Sequence, residues 1–400
     1  MDPERPHRTS RRPATLRRGR FAALLGLAVA LGGLIGVAHG CLRREPAGTG
    51  AGTRPLPPLP PKEVTIAAAG DVMLDRGVWN RIKEYGIHYI MAQVRDPLRA
   101  ADLTFVNLEC PLSTVQGHAL PGGDMTFCAH PRTVQALLDA GVNVVSIANN
   151  HTLDAGREGA DDTIRTLEAN HIAYVGGGPK GSPPDAITTL QVDDTKVAFL
   201  AYTDLSFDCG STCKVDPDMR NALAKVRQAR NNADVVVVSY HWGEEYEATP
   251  TSRQRALGHA TIDAGADVIL GQHPHVLSGV EFYHRGLIVY SMGNFVFDQR
   301  DAPDGRMTSA IFGLRIVPGQ RIDLTITPLR IPSPEYAPRP AGEDRSREIL
   351  TRLARMSQEL GTSLRIDGQK ARAGFVLGTA SASPDAPGGT SEPTVKGSSR

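Results

Sequence analysis

Five short apolar runs in this sequence each end on a side chain able to hold a divalent cation. In the clearest, residues 268–270 read as a buried strand that breaks at Gly271 and delivers His273 and His275 on either side of Pro274. An isolated His-x-His is more often a pair of hydrogen-bonded surface imidazoles than a ligand pair. This pair has company. Residues 64–69 run into Gly70-Asp71, residues 103–106 into Asn107-Leu-Glu109, residues 144–147 into Asn149-Asn-His151, and residues 235–240 into His241-Trp-Gly243. Singly, Asp71 reads as a turn or helix cap, Asn150 as a turn amide and Glu109 as a solvated loop acid. Together with His241, His273 and His275 they describe a divalent-metal pocket. Mixed nitrogen and oxygen donors suit zinc, manganese or iron without separating them. A carboxylate shared by two such cations lowers their repulsion, and water held there becomes nucleophilic near neutral pH. His151, beside the ligand Asn150, is placed to protonate a leaving group. Asp154, Glu245 and Asn294 are candidates for orienting the ligands or meeting substrate, although Asp154 also reads as a helix cap and Asn294 as a turn residue.

Such a set converges only if the strands are neighbours, because open α/β sheets bind ligands outside the carboxyl ends of their strands. The pattern supports this. Helices are expected at 76–84, 88–101, 131–140, 155–169 (with Asp154 as N-cap), 217–231 and 253–264, and they alternate with strands, including 172–175, 187–192 and 196–202. After His275 the rhythm changes. Residues 279–283, 287–291, 307–317 and 322–329 read as strands with no helices between, which implies antiparallel pairing. Two mixed sheets flanked by helices accommodate both halves. Residues 343–360 form a charged amphipathic helix that Gly361 is placed to end, and from 370 a Ser/Pro/Gly/Ala-rich composition predicts a disordered tail.

The first twenty residues carry seven arginines, and residues 21–37 are apolar or glycine throughout. That is the form of a secretory signal or an uncleaved membrane anchor, with the bulk of the chain on the far side of the cytoplasmic membrane. Cys41 follows Ala38-His-Gly, an imperfect lipoprotein cleavage box, so lipidation at Cys41 and an uncleaved anchor both stand. Residues 41–62 are Pro- and Gly-rich and form an extended linker. Cys110, Cys128, Cys209 and Cys213 remain, an even number that suggests disulfides in an oxidising compartment, with three pairings open. A net charge of +1 over 400 residues gives no argument for a nucleic-acid partner, and 40% hydrophobic content suffices for a large core.

Gly70-Asp-Val-Met-Leu, Asn107-Leu-Glu-Cys-Pro-Leu112, Ala148-Asn-Asn-His-Thr-Leu-Asp154, His241-Trp-Gly, Gly271-Gln-His-Pro-His275 and Tyr290-Ser-Met-Gly-Asn-Phe295 occur in this order. The series closely resembles the CapA-type family of poly-γ-glutamate capsule synthesis proteins. That family looks like a divergent branch of the calcineurin-like metallophosphoesterases, so the resemblance implies a four-layer αββα sandwich over residues 63–335, followed by a helical extension at 336–369. It also implies Asp71, bridging Glu109, Asn150, His241, His273 and His275 as metal ligands and His151 as the catalytic acid. Two departures stand out: Met73 occupies a position where metallophosphoesterases have a histidine ligand, and the bridging acid is Glu rather than Asp. One metal position is thereby left short of a ligand. Two functions follow from the resemblance. One is an accessory role with membrane subunits of a polymer synthase that handle anionic polyglutamate, at the outer face of the cell membrane. The other is metal-dependent cleavage of an amide or phosphoester in envelope material.

Overall fold

The computed structural model describes residues 63–376, apart from 116–125, 180, 184, 206–214, 216–217 and 300–304. The N-terminal arginines, the apolar stretch, Cys41, the linker, Cys209 and Cys213 lie outside the described residues. Among the described residues, no helix is long and apolar enough to cross a membrane.

The chain enters as β1 (Val64–Val72) and continues through α1 (Arg76–Tyr85), α2 (Arg95–Arg99) and β2 (Leu103–Leu108). Next come α3 (Val134–Asp139), β3 (Val144–Ser146), α4 (Gly156–Ala169) and β4 (Ala173–Val175). Strands β1 to β4 pair in parallel, each carried to the next by a helix-containing crossover. The expected helix at 88–101 is broken. Only a 3-10 turn at Ile87–Tyr89 and the short α2 survive. Pro97 lies in the first turn of α2 and has no N–H to give to a helix arriving from upstream.

A second sheet begins with β5 (Thr188–Val192) and β6 (Thr195–Thr203). It continues through α5 (Arg220–Arg230), β7 (Val235–His241), α6 (Ser252–Asp263), β8 (Val268–Gln272), β9 (Val280–Tyr283) and β10 (Gly286–Val289). Its order is β5-β6-β7-β8-β10-β9. Helix α6 starts in a capping box, with Thr251 accepting from the Gln254 N–H and the Gln254 side chain accepting from the Thr251 N–H.

The chain then returns to the first sheet as β11 (Asn294–Val296), β12 (Thr308–Val317), β13 (Arg321–Arg330) and β14 (Arg339–Pro340). After α7 (Glu343–Glu359) it closes with β15 (Arg365–Asp367) and β16 (Lys370–Val376). The long antiparallel pairs β1–β12, β12–β13 and β13–β16 confirm the change of rhythm. They also correct the tail, because residues 370–376 are a strand. Ala371 is fully buried while Lys370 and Arg372 face solvent, so a strand with only one buried face was hidden in a polar composition. Residues 377–400 lie outside the described residues.

Three apolar cores define the layers. Ile66, Ala68, Phe105 and Val144 of the first sheet meet Phe199, Val237, Val268 and Leu270 of the second, and the Phe105 and Phe199 rings stack 6.2 Å apart. Leu350 and Leu353 of α7 complete this inner core, so that helix is part of the sandwich rather than an extension of it. On the outer side of the first sheet, Val106 and Val145 pack under Val78, Leu98, Leu137 and Ile164 of the helices. On the outer side of the second, Val236 and Val238 pack under Val226 and Leu257. The result is a four-layer α/β/β/α sandwich. The carboxyl ends of β1, β2 and β3 lie side by side in one sheet, and those of β7 and β8 lie side by side in the other.

Candidate metal centre

Asp71 stands at the end of β1, where that strand is gripped on both sides. It is in register with Asn107 of β2 and Asn294 of β11, and its N–H donates to the Gly293 carbonyl at 3.0 Å. Gly70 makes this possible, because a Cβ there would lie 1.8 Å from the Gly293 oxygen. Asp71 and Glu109 are both fully buried. The Asn107 amide joins them, its Nδ2 donating to Asp71 Oδ1 at 2.9 Å and to Glu109 Oε2 at 3.2 Å. Asn149 in turn donates from its Nδ2 to Asn107 Oδ1 at 3.1 Å and to the Leu108 carbonyl at 2.9 Å. One oxygen of each acid is left over. Asp71 Oδ2 and Glu109 Oε1 are buried without a hydrogen-bond partner.

The histidines point at those two oxygens. Glu109 Oε1 lies 3.7 Å from His275 Nε2, 3.9 Å from His241 Nε2 and 4.0 Å from His151 Nε2. His275 Nδ1 sits 2.9 Å from Asn294 Oδ1, its natural acceptor, and 3.2 Å from Asp71 Oδ2, which leaves Nε2 with a free lone pair. Asn294 is itself fixed by donating to Gln299 and to the Arg306 carbonyl. His241 Nε2 and Asn150 Oδ1 are 2.7 Å apart. His273 adds a buried Nδ1 that has no partner. Two groups of donors result: Asp71, Glu109 and His241, then Glu245, His273 and His275, with the donor atoms of each group within 4.8 Å of one another. A cation bound at about 2.0–2.2 Å spaces its ligands by roughly 3–4 Å. Buried carboxylate oxygens with no protein partner are costly unless a cation meets them. The residues therefore fit a divalent metal.

The electrostatics call for a positive charge beside the acids and for neutral imidazoles around them. Burial, then the neighbouring Asp71, pushes the Glu109 carboxyl well above the usual carboxylate range. Burial and the other imidazoles hold His241 well below its ordinary value, and burial followed by His275 pushes His273 down to about 3. Neutral imidazoles with open lone pairs are the ligating form. The backbone is bent to present them, since His273 and His275 both adopt positive φ, at 93° and 58°.

His151 is set slightly apart. Its Nδ1 lies 2.7 Å from Asp154 Oδ2, the same oxygen that accepts the Phe127 N–H at 2.7 Å, and the Phe127 ring covers the imidazole at 4.0 Å. Asp154 is thus no helix cap. Ala155 occupies the N-cap of α4 with no side-chain bond, and the carboxylate has turned to the histidine instead. Met73 contributes no nitrogen or oxygen donor; it is buried and its sulfur accepts the Asp75 N–H. Glu245, expected only as an outer residue, brings a carboxylate to the His273 and His275 group. Asn107 and Asn149 were missed as organisers of the site. Their only signal in sequence is their position at the ends of strand runs. Cys110 and Cys128 are not joined: both are free thiols, Cys110 accepting the Leu74 N–H and Cys128 donating to the Ser113 and Val115 carbonyls.

The profile of the bacterial capsule synthesis protein family PGA_cap matches residues 65–299, more than half of the chain. The chain belongs to that family. It is 36% identical over 250 residues to the capsule biosynthesis protein CapA of Bacillus anthracis, covering 60% of this chain and 61% of that one. To the PGA biosynthesis protein CapA of Bacillus subtilis it is 35% identical over 242 residues, covering 59% and 64%. The match thus spans about three fifths of these PGA_cap relatives. Among solved structures, a hypothetical protein from Thermus thermophilus superposes over 68% of this chain and 94% of its own, with 19% identity and a TM-score of 0.37. The PGA_cap match begins within β1 and ends just after β11, so it takes in all of the candidate ligands.

Proposed function

We propose that this chain takes part in the synthesis or export of a poly-γ-glutamate capsule polymer from the outer face of the cell membrane, with a divalent cation held at the seam of its two sheets. The observation that carries the metal centre is the pair of buried, partnerless oxygens on Asp71 and Glu109, ringed by imidazoles. Membership of the PGA_cap family supports the process. The basic and then apolar N-terminus supports attachment, either as an uncleaved anchor or through lipid on Cys41. Polymer-synthase membrane subunits are the corresponding partners.

Asp71, Glu109, Asn150, His241, His273 and His275, with Glu245, would hold the metal. A bound divalent cation would supply Lewis acidity and lower the pKa of attacking water. Asn107 keeps the two acids apart at fixed separation, and Asn294 sets which nitrogen His275 presents. One observation favours a catalytic role over a purely accessory one. The Asp154 carboxylate fixes the His151 Nδ1–H and leaves Nε2 facing the pocket, so that the doubly protonated ring can hand its Nε2 proton to a departing amine or alkoxide while keeping the one on Nδ1. The reaction supported is hydrolysis or transfer at an amide or phosphoester of the envelope polymer.

The test is metal analysis of protein purified without chelator, alongside capsule assays with His241→Ala and His151→Ala. Bound cation lost in the first variant, and polymer length or release altered in both, is the expected result. Absence of bound cation from the wild type, with a normal capsule in both variants, would overturn the reading.

A further inference from the structure

Away from the metal centre, the outer face of the first sheet opens in a groove of about 850 Å³. It crosses β1, β12, β13 and β16, and α2 bounds one side. The floor is small, with Ala67, Gly313, Thr325 and Gly374, and holds one acid, Asp323, beside Gly374. The rim is basic, with Arg365, Lys370 and Arg372 along one edge and Arg315 toward the other. Arg365 and Arg372 stand directly opposite one another on β15 and β16, so their side chains share the outer face. Like charges in that position destabilise a sheet. Asp367 answers only Arg372, Glu63 holds Arg315 at 2.6 Å, and Arg321 holds Asp323 at 2.8 Å. The pairing leaves the β15–β16 edge with an excess of positive charge.

We infer that this groove is a docking track for an extended polycarboxylate, the γ-linked glutamate polymer of the preceding proposal. The identity of the occupant rests on that reading, but the groove does not depend on the metal centre. Carboxylates repeated along a chain meet arginine forks in paired hydrogen bonds. Three strand spacings, roughly 14 Å, separate the rim residues on β15 and β12, enough for a polymer backbone to lie on the small residues between them. The chain's own ends are poorer occupants. The first twenty residues carry seven arginines and would be repelled, and residues 377–400 balance two acids with two bases.

The test titrates the full-length protein with a fluorescent poly-γ-glutamate oligomer at low salt and follows acetylation of Lys370. Replacing Arg365, Lys370 and Arg372 together by Gln is expected to weaken binding about ten-fold, the sum of three exposed ion pairs. Metal content should be unchanged and the melting temperature should not fall, because all three side chains are exposed and relief of the Arg365–Arg372 repulsion offsets the lost Arg372–Asp367 pair. The oligomer should shield Lys370 in the wild type. His241→Ala should lose metal yet keep the oligomer, which separates failure of the metal reading from failure of this one. Equal affinity in the triple variant, or an unshielded Lys370, overturns the proposal. So would equal shielding of Lys370 by phosphatidylglycerol vesicles or duplex DNA, which would make the face a general polyanion or membrane surface.

Discussion

Glu109 is the residue on which the site's chemistry and its cost meet. Its carboxyl is pushed up because burial and Asp71 both oppose a second negative charge there. Glu109→Gln removes that conflict while keeping the shape. Cation-free protein carrying it should be at least as stable as wild type at pH 8 by urea denaturation, and the stabilisation by added zinc or manganese should vanish. Asp154→Asn makes a different prediction. The ligands are untouched, so metal stoichiometry should hold, while turnover of polymer falls by about 10²-fold or more through loss of the oriented His151. A changed pH profile would distinguish this from a general loss of fold.

At the scale of elements, the strand ends do the positioning, and their tolerances are narrow. Gly70→Ala drives a methyl group into the Gly293 carbonyl and should cost about 1–3 kcal/mol in denaturant unfolding, with weakened metal binding because Asp71 shifts with its strand. This is also where the limits of the sequence show. The candidate ligands were legible because each follows an apolar run on the same stretch of chain, a purely local pattern. Asn107 and Asn149 were not, since an amide at a strand end looks like a turn until the partner strand supplies its acceptor. Asp154 sits where a cap belongs, but Phe127 from the loop before α3 and His151 from its own loop both claim the same oxygen and win. β16 escaped because a strand with one wet face has no apolar run to announce it.

Across the whole molecule, one ion should tie the two sheets together. Saturating zinc or manganese at a hundred times its dissociation constant should add about 2.7 kcal/mol to unfolding, and chelation should remove it. The chelated protein should also be acid-sensitive. His241 and His273 resist protonation when folded but not when unfolded, so their contribution is intact above about pH 6.5 and is lost as pH falls toward 3. The limiting slope is about 1.4 kcal/mol per pH unit for each histidine, read from urea midpoints across that range. Stability that stays flat between pH 6.5 and 5 would contradict the buried, neutral pair.

Asp71 lies near the start of the folded chain, yet the backbone carbonyl that fixes it belongs to Gly293, and His241 and His275 also come from the later half. A nascent chain therefore carries Asp71 and Glu109 long before His241, His273 and His275 exist, and at that stage offers only a weak, unselective carboxylate pair. Selection among competing ions must wait until the last strands have threaded back into the first sheet. An ion bound at this site would consequently be a record of the surroundings in which folding finished, not those in which translation began.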